Sequence, residues 1–201
     1  MHKPPKIQEK RVIARTRLFC VEALELEFCN GVHASYERLL PNFRAAVLVV
    51  PVMNDGETVM LIREYAAGVH RYELGFPKGR IEEGEDILAA ANRELMEETG
   101  FGARRLEHLK TFTIAPGLTG HLTEVVLARD LYPQKQQGDE PEEVEVVPWR
   151  LSDTHRLLEQ EDCTEARSVA ALYMVKEKLK ATRRGYSRWP GPALWVSTAF
   201  E

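Results

Sequence analysis

A glycine-bracketed acidic segment constrains this chain more than any other part of its sequence. Residues 79–101 read GRIEEGEDILAAANRELMEETGF. Gly79 and Gly84 allow a tight loop, because glycine tolerates backbone angles that other residues avoid. Asp86 then opens a helix near its positive dipole end, and Gly100 ends the helix in the left-handed conformation that suits glycine. The segment therefore predicts a loop followed by a helix that stops at Gly100.

The predicted helix brings three glutamates together. At about 100° per residue, Glu94, Glu97 and Glu98 fall within an arc of about 100°. Like charges at this spacing repel, so a cation should compensate them. Arg93 can hold Glu97 one turn away, and hard divalent ions such as Mg²⁺ take oxygen ligands of this kind. The pattern indicates a metal-binding helix, and an ordinary solvated acidic surface is the alternative.

Length and composition are typical of a globular protein with one main domain. With 201 residues, 44% hydrophobic and 29% charged, the chain can bury a real core. A net charge of -4 argues against nucleic-acid or membrane-surface binding. No stretch has the pattern of a signal peptide or a membrane span. Three cysteines without metal-type spacing favour reduced thiols in a cytoplasm: Cys20, Cys29 and Cys163.

The N-terminal part of the chain has the pattern of short strands. Residues 11–19, 20–28 and 32–40 predict three antiparallel strands, with Asn30-Gly31 as a hairpin turn. A three-stranded piece of this size is marginally stable alone. We therefore expect residues 1–42 to form an element that packs on the rest of the chain or on another subunit.

The centre of the chain predicts a buried mixed sheet. Apolar strands at 44–53 and 57–65 are joined by the turn signal Asn54-Asp55-Gly56. An acidic loop at 134–145 interrupts the later strands. Those later strands are expected at 106–114, 121–131 and 146–149.

Two helices are expected after the last strand. A short one runs from Ser152, a candidate N-cap, to about Glu159. A longer one runs from about Thr164 to Lys180. Its apolar stripe is Val169, Leu172, Tyr173, Val175, Lys176 and Leu179. A sheet covered by helices places the chain in the α/β class.

Domain organisation follows from these elements. Residues 43–184 are expected to form the main domain after the N-terminal strands. Residues 185–201 contain Trp189 and Trp195 together with two prolines that forbid a continuous helix. Two alternatives remain for this arm, which either packs on its own domain or across a dimer, or is a disordered tail.

The acidic segment also matches a known family. Gly79, Glu85 and the run from Arg93 to Phe101 agree with the Nudix box at every position, so the chain is identified as a member of the Nudix superfamily. That resemblance implies an α/β/α sandwich around a mixed sheet. Pro116 occupies a position at which members of the ADP-ribose pyrophosphatase branch have a proline, so the chain resembles that branch. Five segments resemble bacterial ADP-compounds hydrolases: LIREYAAG, YELGFPKG, AANRELMEETGFGA, DLYPQKQQGDEPE and EARSVAALYMV.

The resemblance implies roles for particular residues. Glu94, Glu97 and Glu98 would bind Mg²⁺ or Mn²⁺, two or more ions, together with the main-chain carbonyl of Lys78. In the ADP-ribose branch a glutamate from a mobile loop acts as a ligand or general base. Its counterparts here are Glu140 and Glu142, so the catalytic candidates are Glu98, Glu140 and Glu142. A solvated acidic linker is the alternative for that loop.

A second group of residues is expected at the substrate. Arg44 and Arg63 could meet the diphosphate, with surface arginine as the alternative for each. The other substrate-binding candidates are Glu73, Arg80 and Pro116. Ala66 stands where many ADP-ribose hydrolases have a second arginine, which argues against a strict preference for ADP-ribose.

The expected reaction is hydrolysis of ADP-X compounds to AMP and X-phosphate, with ADP-ribose, NADH and diadenosine polyphosphates as candidates. A non-catalytic sensor of ADP metabolites is one alternative, although the box shows no damage. An RNA 5′-end pyrophosphohydrolase is another, although the acidic balance counts against it. The resemblance also implies a homodimer built through the N-terminal strands.

Overall fold

The computed structural model describes residues 3–41, 45–138 and 140–183. An antiparallel sheet comes first, with the order β1 (Lys6–Arg15), β2 (Phe19–Glu27) and β3 (His33–Pro41). This confirms the predicted N-terminal strand element. The first strand lies several residues earlier than expected, because the Thr16 hydroxyl accepts the backbone N–H of Phe19 at 2.9 Å and closes a turn there.

A four-stranded mixed sheet forms the centre of the remaining chain. Its order is β7 (Lys78–Arg80), β4 (Ala46–Pro51), β9 (Leu122–Pro133) and β8 (Phe101–Thr113). Strands β4 and β9 run parallel, and the other neighbours run antiparallel. A separate antiparallel sheet has the order β10 (Glu145–Arg150), β5 (Thr58–Ala66) and β6 (Arg71–Gly75).

The hairpin between β4 and β5 differs from the expectation. The turn itself is present, because the Asp55 carboxylate accepts the N–H groups of Glu57 and Thr58 at 2.8 and 2.9 Å. Beyond one bridge between Val52 and Val59, however, the two strands separate into different sheets. Each strand has both edges paired with other partners, so the expectation that both strands lie at the centre of one mixed sheet is confirmed for β4 and wrong for β5.

Helices cover both faces of the mixed sheet. Alternate residues of β4 point to opposite faces. On one face α1 (Ile87–Thr99) contributes to the cluster Ala90, Ala91, Leu95, Val47, Val49, Val126 and Ala128. On the other, α3 (Ala166–Arg183) contributes to the cluster Ala171, Leu172, Val175, Leu48, Val50, Val125 and Leu127. This arrangement confirms the expected α/β sandwich around a mixed sheet.

The C-terminal helices differ from the expectation in detail. Ser152 lies inside a 3₁₀ turn (Leu151–Asp153), so it does not cap α2 (Thr154–Leu158). Tyr173 was expected in the buried stripe of α3, yet it is 46% exposed while Leu172 is only 2% exposed. None of the helices in the described part of the chain combines the length and apolarity needed to span a membrane.

The domain boundaries stay predictions. The junction between residues 42 and 43 falls at the undescribed residues 42–44, which include Arg44. The arm at 185–201 also lies outside the described residues.

Neighbouring residues of α3 provide a test of this packing. Leu172→Ala should lower the free energy of unfolding by about 2–5 kcal/mol, because truncating a buried leucine removes contacts and leaves a cavity. Tyr173→Ala should lower it by less than about 1 kcal/mol, because the ring is largely exposed. Urea titration followed by circular dichroism measures both losses. Equal losses in the two variants would contradict the observed orientation of α3.

Candidate active site

The turn at Gly84 and the helix that ends at Gly100 form as expected, but Gly79 was wrongly placed in the loop: it lies in strand β7 and its φ is not positive, so the loop begins after Arg80. The Asp86 carboxylate accepts the backbone N–H of Leu88 at 2.9 Å and that of Ala89 at 3.2 Å, which caps α1. At the other end Gly100 has φ 77° and donates its N–H to the Met96 carbonyl. The left-handed conformation there favours glycine and ends the helix.

Arg93 holds the acidic side chains of the box together. Its guanidinium donates to the Glu85 carboxylate at 2.9 and 3.1 Å, to Glu94 at 2.8 Å and to Glu97 at 3.0 Å. It also donates to the Arg80 carbonyl at 2.9 Å, which ties the loop to the helix. These ion pairs raise the pKa of Arg93, with the Glu85 hydrogen bond as the largest cause.

Glu94 is buried against the backbone of β7. Glu94 is only 6% exposed, and a Cβ atom on Gly79 would overlap its carboxylate. Glycine at this position therefore makes room for the carboxylate. Burial raises the pKa of Glu94 to about 7, against the stabilising charge of Arg93.

Glu98 is the most buried carboxylate of the box. It is 2% exposed, and one oxygen accepts the backbone N–H of Lys78 at 2.9 Å. Burial raises the pKa of Glu98 to about 9, while the Lys78 charge opposes the shift and the Glu64 charge adds to it. A carboxyl group so disfavoured as an anion needs a counter-charge to ionise at neutral pH.

Glu64 is a site residue that sequence reasoning missed. It lies on β5, and its carboxylate accepts the Lys78 ammonium at 2.7 Å. Its signal was the alternation of β5, which places position 64 on the same strand face as the buried Met60 and Ile62. A glutamate that continues a buried strand face indicates a local polar partner.

The donor set fits a divalent cation. Five carboxylates lie around Arg93 and Lys78: Glu85, Glu94 and Glu97 pair with the Arg93 guanidinium, Glu64 pairs with the Lys78 ammonium, and Glu98 accepts the Lys78 backbone N–H. Hard carboxylate oxygens are the ligands that Mg²⁺ prefers. In the described part of the chain, no three acidic, histidine or cysteine side chains converge as a ready-made metal site. Arg93 bridges Glu94 and Glu97, so an ion would have to compete with its guanidinium.

The first residues of the acidic loop after β9 are hydrogen-bonded to the C-terminal end of α1. Gln134 donates its N–H to the Gly100 carbonyl at 2.9 Å, and the Lys135 ammonium donates to the Glu97 carbonyl at 2.9 Å. Carbonyls at the last turn of a helix have no partner within the helix, so these bonds satisfy them. The end of α1 therefore sets where the loop starts.

The structure separates the two glutamates predicted in this loop. The charge of Glu140 contributes to the raised pKa of Glu94, behind burial and Glu97, so Glu140 lies within electrostatic reach of the box. Glu142 instead accepts the Tyr72 hydroxyl at 2.5 Å on β6. The Glu142 charge in turn raises the pKa of Tyr72, with the hydrogen bond as the main cause.

Two predicted substrate residues are paired with side chains outside the Arg93 cluster. Arg63 donates to Asp162 at 2.8 Å and to Glu145 at 2.5 Å. Glu73 accepts from Arg71, and from the Thr164 hydroxyl at 2.8 Å. Adjacent residues of a strand point to opposite faces, so Arg63 points away from the face on which Glu64 meets Lys78. Contact with substrate stays a prediction for both residues.

Two of the remaining predicted substrate residues, Arg80 and Pro116, are exposed. Arg80 has an exposed side chain at the end of β7, next to the box loop. Pro116 is exposed in the loop after β8. In the same loop, the Leu118 carbonyl accepts the N–H of Leu39 on β3 at 2.8 Å. Arg44 lies outside the described residues.

Two family models match the chain. The model described as NUDIX domain matches residues 42–173, and the model described as NudE-type Nudix hydrolase N-terminal domain matches residues 5–38. Together they cover most of the described chain, apart from the last residues of β3 and the second half of α3.

Comparisons with individual proteins point to the same family as the two family models. The chain is 49% identical to ADP compounds hydrolase NudE of Escherichia coli (strain K12), over 90% of this chain and 96% of the relative. It is 30% identical to ADP-ribose pyrophosphatase of Bacillus subtilis (strain 168), over 89% of this chain and 100% of the relative. A crystal structure of ADP compounds hydrolase has a TM-score of 0.85 at 47% identity, over 92% of this chain and 98% of that chain. The chain therefore belongs to the Nudix hydrolase family, whose members act on pyrophosphate bonds.

Proposed function

We propose that this enzyme hydrolyses the diphosphate bond of ADP-X compounds, giving AMP and X-phosphate. ADP-ribose, NADH and diadenosine polyphosphates are the candidate substrates. The observation that carries the proposal is the cluster of buried and half-buried box carboxylates around Arg93 and the Lys78 backbone. The names of the Escherichia coli and Bacillus subtilis relatives support ADP compounds as the substrate class.

A divalent metal is part of the proposal. Nudix hydrolases generally use divalent metal ions such as Mg²⁺. We propose that Glu94, Glu97, Glu98 and the Lys78 carbonyl hold two or more Mg²⁺ or Mn²⁺ ions. Such ions neutralise charge on phosphate oxygens and lower the pKa of a bound water. Burial of Glu94 and Glu98 with raised pKa supports this assignment, because a bound cation would offset the cost of ionising these buried carboxyl groups.

Side chains of the protein itself orient the proposed metal ligands and remove the proton from the attacking water. Arg93 orients Glu94 and Glu97, and its bond to the Arg80 carbonyl holds the loop beside them. Attack by water on phosphorus requires a base that removes a proton. We propose Glu140 for that role, because its charge reaches Glu94. Glu142, bound to Tyr72, would hold the loop to β6.

Substrate contacts follow from position. We propose that Arg80, exposed beside the box loop, meets the diphosphate, with Arg44 as a second cation. Arg63 would join only by giving up Asp162 or Glu145. Glu73 and Pro116 remain candidates for contact with the adenosine or the second group.

Two further proposals concern the protein in the cell. A homodimer through the N-terminal sheet is supported by the exposure of β1 along its whole length and by exposed apolar residues there, including Ile7, Val12 and Ile13. A cytoplasmic location is supported by Cys20, Cys29 and Cys163, which are free thiols.

Glu98→Gln tests the metal-binding carboxylates. With Mg²⁺, the wild-type protein should release AMP and ribose 5-phosphate from ADP-ribose, and the variant should lose at least about 10²-fold in turnover. Without metal its free energy of unfolding near pH 7 should change by less than about 1 kcal/mol, because the raised pKa already keeps Glu98 protonated. Chromatography of products and urea titration measure the two effects.

Glu83→Gln is the matched control, since this exposed loop glutamate has the same charge. It should keep wild-type turnover. Turnover of Glu98→Gln within about threefold of wild type would refute the metal assignment. Binding of ADP-ribose without AMP release by the wild type would favour a sensor, and release of diphosphate from triphosphorylated RNA would favour an RNA 5′-end enzyme.

Glu140 and Glu142 can be separated by turnover. Glu140→Gln should lower kcat for ADP-ribose by about 10²-fold or more, the range of a lost general base. Glu142→Gln and Tyr72→Phe should each lower it by less than about 10-fold, because they weaken only the attachment of the loop. Steady-state kinetics measure all three variants. A larger loss in Glu142→Gln than in Glu140→Gln would reverse the two roles.

Light scattering tests the dimer. At micromolar concentration the protein should have twice the 22.9 kDa mass of one chain. Val12→Glu should shift the mass towards one chain, because a charge would replace an apolar contact. Val69→Glu, an exposed position outside the N-terminal sheet, should leave the mass unchanged. A single-chain mass for the wild type would contradict the proposal.

A further inference from the structure

The short segment before the box is attached to three different elements. Phe76 donates its backbone N–H to the Ser168 hydroxyl of α3 at 3.0 Å. The Pro77 carbonyl accepts the N–H of Val49 on β4 at 2.8 Å. Lys78 donates its N–H to Glu98 of α1 at 2.9 Å. Three consecutive residues therefore link both helical layers through the sheet.

Ser168 is itself held in one orientation. Its hydroxyl donates to the Glu165 carboxylate at 2.9 Å, and the same carboxylate accepts the Ser168 N–H at 2.9 Å. A carboxylate only accepts hydrogen bonds, so the hydroxyl proton points to Glu165 and a lone pair of the oxygen faces Phe76. Burial opposes ionisation of Glu165, but Arg167 and the helix N–H groups outweigh it and lower its pKa.

Packing leaves little freedom at this contact. Ser168 is 4% exposed and Phe76 is fully buried. A Cβ atom on Gly75 would lie 2.9 Å from the Ser168 hydroxyl oxygen, closer than such contacts normally allow. The first turn of α3 and the backbone at residues 75–76 thus approach as closely as the absence of a side chain permits.

We propose that Ser168, oriented by Glu165, is a positioning residue of the active site. It holds the backbone of residues 76–78 so that the Lys78 N–H meets the Glu98 carboxylate. The inference rests on the proposed function, which assigns Lys78 and Glu98 to metal binding. It adds that the start of α3, on the opposite face of the sheet, sets their geometry.

Thr154 is a matched control for the stability that any buried hydroxyl supplies. It is 2% exposed, and its hydroxyl donates to the Leu151 carbonyl at 2.7 Å. That bond closes the start of α2 and has no link to residues 76–78. Each substitution removes one buried hydroxyl, with two hydrogen bonds lost at Ser168 and one at Thr154, and only Ser168→Ala should change the metal site.

The experiment measures Mn²⁺ binding by electron paramagnetic resonance without substrate, and kcat and KM for ADP-ribose with Mn²⁺. In Ser168→Ala the Kd for Mn²⁺ should rise by about 10-fold or more and kcat should fall by about the same factor, the range for residues that orient metal ligands. KM for ADP-ribose should change by less than about threefold. Thr154→Ala should match the wild type within about twofold in all three values, and Ser168→Thr should recover most of the loss.

Each result supports or overturns the inference. Equal Mn²⁺ affinity in Ser168→Ala and Thr154→Ala would overturn it. If Ser168→Ala does not fold, Glu165→Gln decides, because weakening the carboxylate that orients Ser168 should still raise the Kd for Mn²⁺ by at least about threefold, and an unchanged Kd overturns the inference. Failure of the wild type to cleave ADP-ribose, with Mn²⁺ affinity still dependent on Ser168, would reject the proposed substrate and leave the positioning role standing.

Discussion

Burial of several carboxylates beside one guanidinium is the interaction on which the rest of the site depends. Arg93 binds Glu85, Glu94 and Glu97, whereas Glu98 is almost fully buried with a backbone N–H as its direct partner. Burial disfavours the charged form of a carboxyl group, which is why the pKa values of Glu94 and Glu98 rise even though Arg93 pairs with Glu94. The divalent ions proposed for this site would supply positive charge that allows these carboxyl groups to ionise.

Residues outside α1 hold these carboxylates and Lys78 in position. Gly79 leaves room for the Glu94 carboxylate, and Glu64 on β5 holds the Lys78 side chain. Ser168 on α3 holds the backbone that leads to Lys78. The box helix therefore supplies the carboxylates, while two strands and the helix on the opposite face supply their positions. Distant substitutions can then alter the site without touching the box.

Local signals explain which parts of the fold could be predicted. The cap at Asp86 and the end at Gly100 depend on residues within a few positions, so α1 formed where it was expected. The turn at Asp55 was also correct. Strand pairing was not predictable from that turn, because β4 and β5 each have other partners on both edges. The exposure of Tyr173 likewise depends on which side of α3 faces the sheet.

The sequence by itself determined the family, the acidic helix and the candidate carboxylates, because the spacing of Arg93, Glu94, Glu97 and Glu98 places them together on any helix. Only the tertiary structure decided what surrounds them. Glu64 and Ser168 come from distant parts of the chain, and Arg63 turned out to be paired with Asp162 and Glu145. The physical reason is that helix spacing is a local property, whereas burial, charge balance and backbone support arise from contacts between residues far apart in sequence.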